Sequence, residues 1–259
     1  MRRYWGQQKP PLGVPADKGH ILCPSSGLWL MNEGSGNIVQ DLSGNGNGGT
    51  INGDFLWTPG KYGTAVELIG VTDNISANTP PNITNAITYV VRFNSHIGSA
   101  GGDQVLIRLK DTVFKIDNAL SAYFIWYSDI DVAPKTFNYV FAANTSYEVA
   151  VTQIGTTYAL YVNGLQVQTG ETDALDLVSS VDLILGAYNL TGTWDLDGLL
   201  EYAYIYNRAL TASEIAQLYE EPFCMVRTRR RRVIFDEIAG VPPTSSPYYY
   251  REIASRRIA

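Results

Sequence analysis

Histidine and cysteine are scarce in this 259-residue chain, with two of each: His20, His96, Cys23 and Cys224. Two cysteines are too few for a zinc site without histidines, and the only histidines are His20 and His96. No G-x-S-x-G elbow, Cys–His arrangement, metal-binding histidine pair or phosphate-cradling glycine loop appears either, which removes the commonest hydrolase and nucleotide-binding signatures. Charge is sparse, at 17% of residues, and no apolar run is long enough to span a membrane. The opening stretch, MRRYWGQQKPPLGVPADKGH, is basic but lacks the apolar segment of a secretory signal, so the expectation is a protein made in the cytoplasm without export. Cys23 and Cys224 flank the central part of the chain. A disulfide between them and two separately packed thiols are both consistent with the sequence.

What the chain has is apolar and turn residues. Hydrophobic residues make up 45%, enough for a sizeable core, and the 17 tyrosines suit strands and recognition surfaces. The stretch from Gly27 to Thr50 sets the pattern: an apolar strand, a turn at Asn32-Glu33-Gly34-Ser35-Gly36, a short strand near Ile38 and Val39, then a loop of Asp, Ser, Asn and Gly from Asp41 to Gly49. Such a loop has a tightly turned backbone, because glycine tolerates positive φ and Asn and Asp bond to nearby main chain. Two readings stand: a sharp turn between strands, or an ion site whose oxygen ligands suit calcium.

Period-2 alternation places strands at 27–32, 37–41, 48–52, 64–69, 72–76, 86–93, 104–109, 112–117, 122–127, 137–141, 146–154, 157–163, 165–169, 180–185 and 197–206. Asn163-Gly164 is a strong hairpin signal. Lys110-Asp111 and Gly155-Thr156 also sit between paired strand-like runs. One helix is expected from Thr211 to Tyr219, opened by a Thr211/Glu214 capping box and ended by Pro222. Residues 1 to 24 read as an extended arm, since Lys9-Pro10-Pro11 and Val14-Pro15 bar helix. After Pro222 the composition changes sign. Eight arginines face three carboxylates, a net of +5 in a chain whose total is −6.

Four ordered motifs carry a resemblance to a known family. These are the W-x-x-N-E-G-S-G…D-x-S-G-N-G-N-x-G opening at Trp29 to Gly49, Pro59-Gly60-Lys61-Tyr62-Gly63-Thr64-Ala65, Tyr161-Val162-Asn163-Gly164, and Gly198-Leu199-Leu200-Glu201 through Tyr206-Asn207-Arg208-Ala209-Leu210-Thr211. Over residues 25 to 222 the chain resembles laminin-G-like, concanavalin A-type jelly-roll domains. The resemblance implies an all-β, two-sheet antiparallel sandwich, often calcium-bearing and often glycan- or protein-binding. The calcium ligands it suggests are Asp41, Asn45 and Asn47, with Glu201 where the family carries an Asp.

The family includes glucanases, so the carboxylates near the closing strand need weighing. Asp195, Asp197 and Glu201 share parity on an extended strand. A turn before Gly198 breaks that register, and the glucanase spacing is absent, so the expectation is a non-enzymatic protein. The tail, with Arg229, Arg230, Arg231 and Arg232 followed by Val233, Ile234 and Phe235, resembles the tails of phage-encoded laminin-G-like proteins. It reads as a partner-docking anchor, a solvated charge run or a nucleic-acid-binding segment, with protein docking favoured by the apolar triplet behind the arginines. The expectation is a sandwich at 25–222 displayed on a phage virion, with the arm and residues 223–259 anchoring it to capsid or tail proteins and to copies of itself. The alternative is a lectin-like carbohydrate-binding adhesion module. No membrane or nucleic-acid partner is expected.

Overall fold

The computed structural model describes residues 8–69, 72–77, 86–97, 103–109, 112–116, 139–171, 183–191 and 194–226. The strands are β1 Gly27–Trp29, β2 Ile38–Val39, β3 Gly49–Asn52, β4 Phe55–Gly60, β5 Gly63–Leu68, β6 Asn74–Ala77 and β7 Ala86–Ser95. They continue with β8 Gln104–Leu109, β9 Thr112–Ile116, β10 Thr145–Ile154, β11 Thr157–Val162, β12 Leu165–Glu171, β13 Leu183–Leu185 and β14 Gly198–Tyr206, and one helix follows, α1 Ala212–Glu220. They form two antiparallel sheets. The eight-stranded sheet runs β12-β11-β10-β7-β14-β5-β4, with β1 also paired to β14; the six-stranded sheet runs β2-β3-β6-β13-β8-β9. The expected all-β jelly-roll sandwich is what the chain forms.

Alternation explains how the eight-stranded sheet is used on both faces. On β7, Ile87, Tyr89, Val91 and Phe93 enter the core between the sheets, while Val90 enters a second core on the opposite face. On β14, Leu200, Ala203 and Ile205 face inward. Tyr202, Tyr204 and Tyr206 face outward. A bulge at Glu201 shifts the register between Leu200 and Tyr202, so Glu201 turns to the outer side beside Tyr202.

The second core is closed by the two flanking segments. Val14, Ala16 and Leu22 of the arm pack there with Leu210, Ile215 and Leu218 around α1 and with Phe223 to Val226. Ala16 bridges Val226, and the Asp17 amide donates to the Met225 carbonyl at 2.6 Å. Hydroxyls of Tyr204 and Tyr206 donate to the carbonyls of Pro222 and Leu22. The packed unit therefore runs past the expected bounds, 25–222, at both ends. Cys23 and Cys224 lie in this core without a disulfide between them, and burial pushes the Cys224 thiol up to about 12.

The capping box forms as expected: Thr211 accepts from the Glu214 amide while the Glu214 carboxylate accepts from the Thr211 amide. Asn163 and Gly164 both take positive φ, 49° and 79°, as a two-residue hairpin needs. One strand escaped the sequence pattern. β4 contains Pro59-Gly60 and pairs with β5 as an edge strand, where proline's missing donor is tolerated. The expected strand at 122–127 and the turn at Lys110-Asp111 lie outside the described residues. Among the described residues no helix is long and apolar enough to cross a membrane.

Candidate functional site

The Asp41–Gly49 loop is held by a single carboxylate. Asp41 Oδ1 accepts from the amides of Leu28 at 3.0 Å and Ser43 at 2.8 Å. Its Oδ2 accepts from the Ser43 hydroxyl at 2.7 Å and the Asn47 amide at 3.1 Å. A carboxylate offers about four lone-pair directions, and these four donors use them. The side-chain amides of Asn45 and Asn47 donate to carbonyls of Ser25 and Ser26. Calcium asks for roughly six to eight oxygen ligands. The loop as folded presents its carboxylate saturated with hydrogens, and Glu201 is engaged elsewhere, so the four suggested ligands do not fit one calcium cage. Asp41, Asn45 and Asn47 make a tied turn that anchors β1; the indole nitrogen of Trp29 donates to the Asn47 carbonyl at 2.8 Å.

Glu201 belongs to a buried ionic network under the arm. Its Oε1 lies 3.3 Å from Arg92 Nε, and its Oε2 accepts from the Lys61 amide at 2.8 Å. Gly60 leaves it room, since a Cβ there would lie 2.9 Å from Oε2. Two of the family-like motifs thus meet here as structure. Arg92 also sits 4.9 Å from the Tyr62 ring centre. Beside it Glu148 accepts from the Tyr202 hydroxyl, and burial pushes its carboxyl up to about 7 against the pull of Tyr202, Arg92 and Lys61. Lys9, Arg92, Glu148 and Glu201 are 7%, 2%, 1% and 1% exposed. The sequence signal was a single charged residue inside each apolar strand, Arg92 in YVVRFN and Glu148 in SYEVAV.

The outer face of the six-stranded sheet has a different character. Registers put Ile38, Thr50, Ser76, Ile184 and Arg108 in one row across five strands. Asn52 extends the polar part, bonding Asn74 Oδ1 at 2.9 Å and the Ser76 hydroxyl at 3.0 Å. At the Arg108 end stands an aromatic pair. Tyr188 and Trp194 meet edge to face with centroids 4.9 Å apart, and both are half-buried. The Arg108 guanidinium lies 4.3 Å from the Tyr188 ring centre and donates to the Tyr188 carbonyl at 2.6 Å. The Lys115 ammonium lies 4.2 Å from the Trp194 ring centre and pairs with Asp103. The Trp194 carbonyl accepts from the Val105 amide at 2.8 Å, and the Leu196 amide donates to the Gly186 carbonyl at 2.7 Å. Trp194 holds φ of 55°, a left-handed conformation uncommon for a bulky residue and typical of places where the fold imposes a geometry. Neither Tyr188 nor Trp194 stood out in the sequence, because no periodicity marks the loop that carries them.

The carboxylates near the closing strand do not converge. Asp197 pairs with His96 Nδ1 at 2.9 Å, whose Nε2 lies 3.4 Å from Glu67. Asp195 is pushed up to about 6 by burial and by the neighbouring Asp73 charge. Glu201 joins Arg92, as described. Among the described residues no cluster of three or more His, Cys, Asp or Glu side chains suits a metal. Arg229, Arg230, Arg231, Arg232, Val233, Ile234 and Phe235 lie outside the described residues.

The two stacked antiparallel sheets agree with what comparison with known proteins shows of the family. The Laminin_G_3 model, described as the concanavalin A-like lectin/glucanases superfamily, matches residues 70–216. The chain belongs to that superfamily. A mutant Trypanosoma rangeli sialidase displaying trans-sialidase activity superposes with a TM-score of 0.62 at 15% identity, over 83% of this chain and 37% of that one. The botulinum neurotoxin serotype D binding domain gives 0.60 at 17% identity, over 76% and 52%. The ligand binding domain of the same serotype, in complex with N-acetylneuraminic acid, gives 0.58 at 19% identity, over 76% and 50%. At these identities the likeness is one of fold, and the chain spans half or less of most of these structures. A comparison with curated proteins yields no match.

Proposed function

We propose that this chain is a lectin-like, non-enzymatic carbohydrate-binding module, and that it takes its glycan at the Tyr188–Trp194 pair on the outer face of the six-stranded sheet. The observation that carries the reading is that pair, held by two cations on a sheet that also carries the Thr50, Asn52, Asn74 and Ser76 side chains. A sugar presents a C–H face and a hydroxyl edge. Half-buried aromatic rings match the first, and neutral donors and acceptors match the second. The opposite outer face, that of the eight-stranded sheet, is covered by the arm and α1. A structurally similar toxin domain is known in complex with N-acetylneuraminic acid, which supports a glycan as ligand class.

Trp194→Gly tests the reading cleanly. Glycine suits the left-handed backbone at this position, so folding is kept while the ring is lost. Binding to whichever glycans a printed array selects should fall about tenfold or more, the loss of about 1.4 kcal/mol. Unchanged glycan binding in a folded Trp194→Gly protein sinks the proposed site. A reducing-sugar assay on the same glycans separates binding from hydrolysis, and release above background would make the protein an enzyme.

The finer reading is display on a phage virion through the basic tail. Its support is the composition of residues 222–259, above all Arg229 to Phe235. Deleting residues 227–259 should leave a folded sandwich that no longer joins a particle. Full incorporation of the soluble truncation would refute the anchor.

A further inference from the structure

Trp194 holds its left-handed backbone, φ of 55°, just before β14 begins at Gly198. A conformation of that kind persists only where contacts on both sides of it over-determine the backbone. At the residue itself, the Trp194 carbonyl accepts from the Val105 amide at 2.8 Å. Beyond it, the Leu196 amide donates to the Gly186 carbonyl at 2.7 Å, and the Asp197 carbonyl accepts from the His96 amide at 2.9 Å. The Asp197 side chain is gripped as well, its Oδ1 lying 2.9 Å from His96 Nδ1. His96 therefore holds the far end of the segment 194–197 by both main chain and side chain.

Strand register is what brings His96 there. Gly198 pairs with Ser95 of β7 on one side and with Leu68 of β5 on the other. A Cβ at Gly198 would stand 2.1 Å from the Asn94 carbonyl oxygen, so only glycine lets β14 start this close to the end of β7. In an antiparallel pair the residue before Gly198 then meets the residue after Ser95, and these are Asp197 and His96. Glu67 pairs with Leu199, one residue into β14, and its carboxylate lies 3.4 Å from His96 Nε2. The flat ring thus has a carboxylate at each nitrogen and cannot move toward one without leaving the other. The backbone of His96 is fixed from the β10 side: its carbonyl accepts from the Asn144 side-chain amide at 3.3 Å, and the Asn144 amide donates to the Ser95 carbonyl at 2.7 Å.

We propose that His96 is a positioning residue for the glycan site: through Asp197 it fixes the segment 194–197 and so sets the Trp194 ring against Tyr188 and Lys115. The inference rests on the reading of the Tyr188–Trp194 pair as that site. Trp194 meets Tyr188 at 4.9 Å and the Lys115 ammonium at 4.2 Å, contacts that a small shift of its backbone would change. A carboxylate only accepts, so Nδ1 carries the hydrogen that Asp197 receives. The His96 and Asp197 side chains are 30% and 45% exposed, so their contact adds little to overall stability and acts chiefly on geometry.

Ring-fluorinated tryptophan in the full chain reads this directly, with the Trp194 resonance identified by its loss in Trp194→Gly. In His96→Ala that resonance should shift or broaden while the melting temperature stays close to wild type. Asparagine carries its amide nitrogen two bonds from Cβ, as Nδ1 is carried, and glutamine carries it three bonds away, as Nε2 is. His96→Asn should therefore restore the wild-type resonance, and His96→Gln, which reaches toward Glu67, should resemble His96→Ala. Affinity for the array-selected glycan should fall about threefold in His96→Ala and His96→Gln and return in His96→Asn. An unmoved Trp194 resonance in His96→Ala overturns the proposal, as does an equal change in all three variants, which a merely structural loss would give. Unchanged affinity in His96→Ala, where wild type binds, overturns it too. Absence of glycan binding by wild type is a failure of the site reading instead, and the fluorine resonances still decide whether His96 positions Trp194.

Discussion

Asp41→Ala offers a sharp test of what holds the loop between β2 and β3. The substitution removes the acceptor of four hydrogen bonds, three of them from the main-chain amides of Leu28, Ser43 and Asn47. Leu28 and Asn47 are buried, so their amides lose a partner that water cannot readily replace. An orphaned buried donor costs about 1–3 kcal/mol, and Ser43 is buried as well, so about 3 kcal/mol is the low end of the expected loss. That low end is a large part of a typical domain's stability and equivalent to roughly 6–12 °C in melting temperature for a protein of this size. The assay is thermal melting followed by circular dichroism, in buffer with calcium and with a chelator. Wild type should melt at the same temperature in both, and Asp41→Ala should be lowered equally in both. A folded-state ion at a hundredfold excess over its dissociation constant would instead add about 2.7 kcal/mol. If chelation lowers wild type to the level of Asp41→Ala, the hydrogen-bond account is wrong and the loop is a metal site.

Glu148→Gln should become more stable relative to wild type as pH rises from 4.5 to about 7, because the raised carboxyl carries its burial cost only when ionised. The gain should approach about 3 kcal/mol or a little more above pH 7 and vanish below 4.5 in urea titrations; a constant difference would show that Glu148 is not desolvated as described. Gly198→Ala should cost about 3 kcal/mol or more, since its Cβ would stand 2.1 Å from the Asn94 carbonyl oxygen of the paired strand at φ of 155°. Gly36→Ala, at φ of 74° with nothing within 4 Å, should cost only about 1–2 kcal/mol, and equal costs at the two sites would refute the steric argument.

The alternation of Ile87, Tyr89, Val91 and Phe93, the Asn163-Gly164 turn and the Thr211/Glu214 cap were legible in the sequence because each is a local pattern. Strand period, positive φ and capping depend on residues a few positions apart, so they determine the elements before any tertiary contact forms. The all-β class and its jelly-roll resemblance followed from these. The identity of the working surfaces did not. Parity allowed Glu201 a face in common with Asp195 and Asp197, a register the turn before Gly198 was expected to break, but nothing local pointed to its partner Arg92, more than a hundred residues earlier in the chain. No strand was expected at 55–60, where Pro59 argues against one, and only the neighbouring β5 makes it an edge strand. The arm read as extended, from Lys9-Pro10-Pro11 and Val14-Pro15, and only the outer face of β14 and β7 gave Val14 and Leu22 something to cover. Tyr188 and Trp194 became a pair only when the loop carrying them lay across β8. In each case the deciding contact joins strands distant in sequence, and such pairing depends on register and burial across the whole sandwich rather than on any local run of residues.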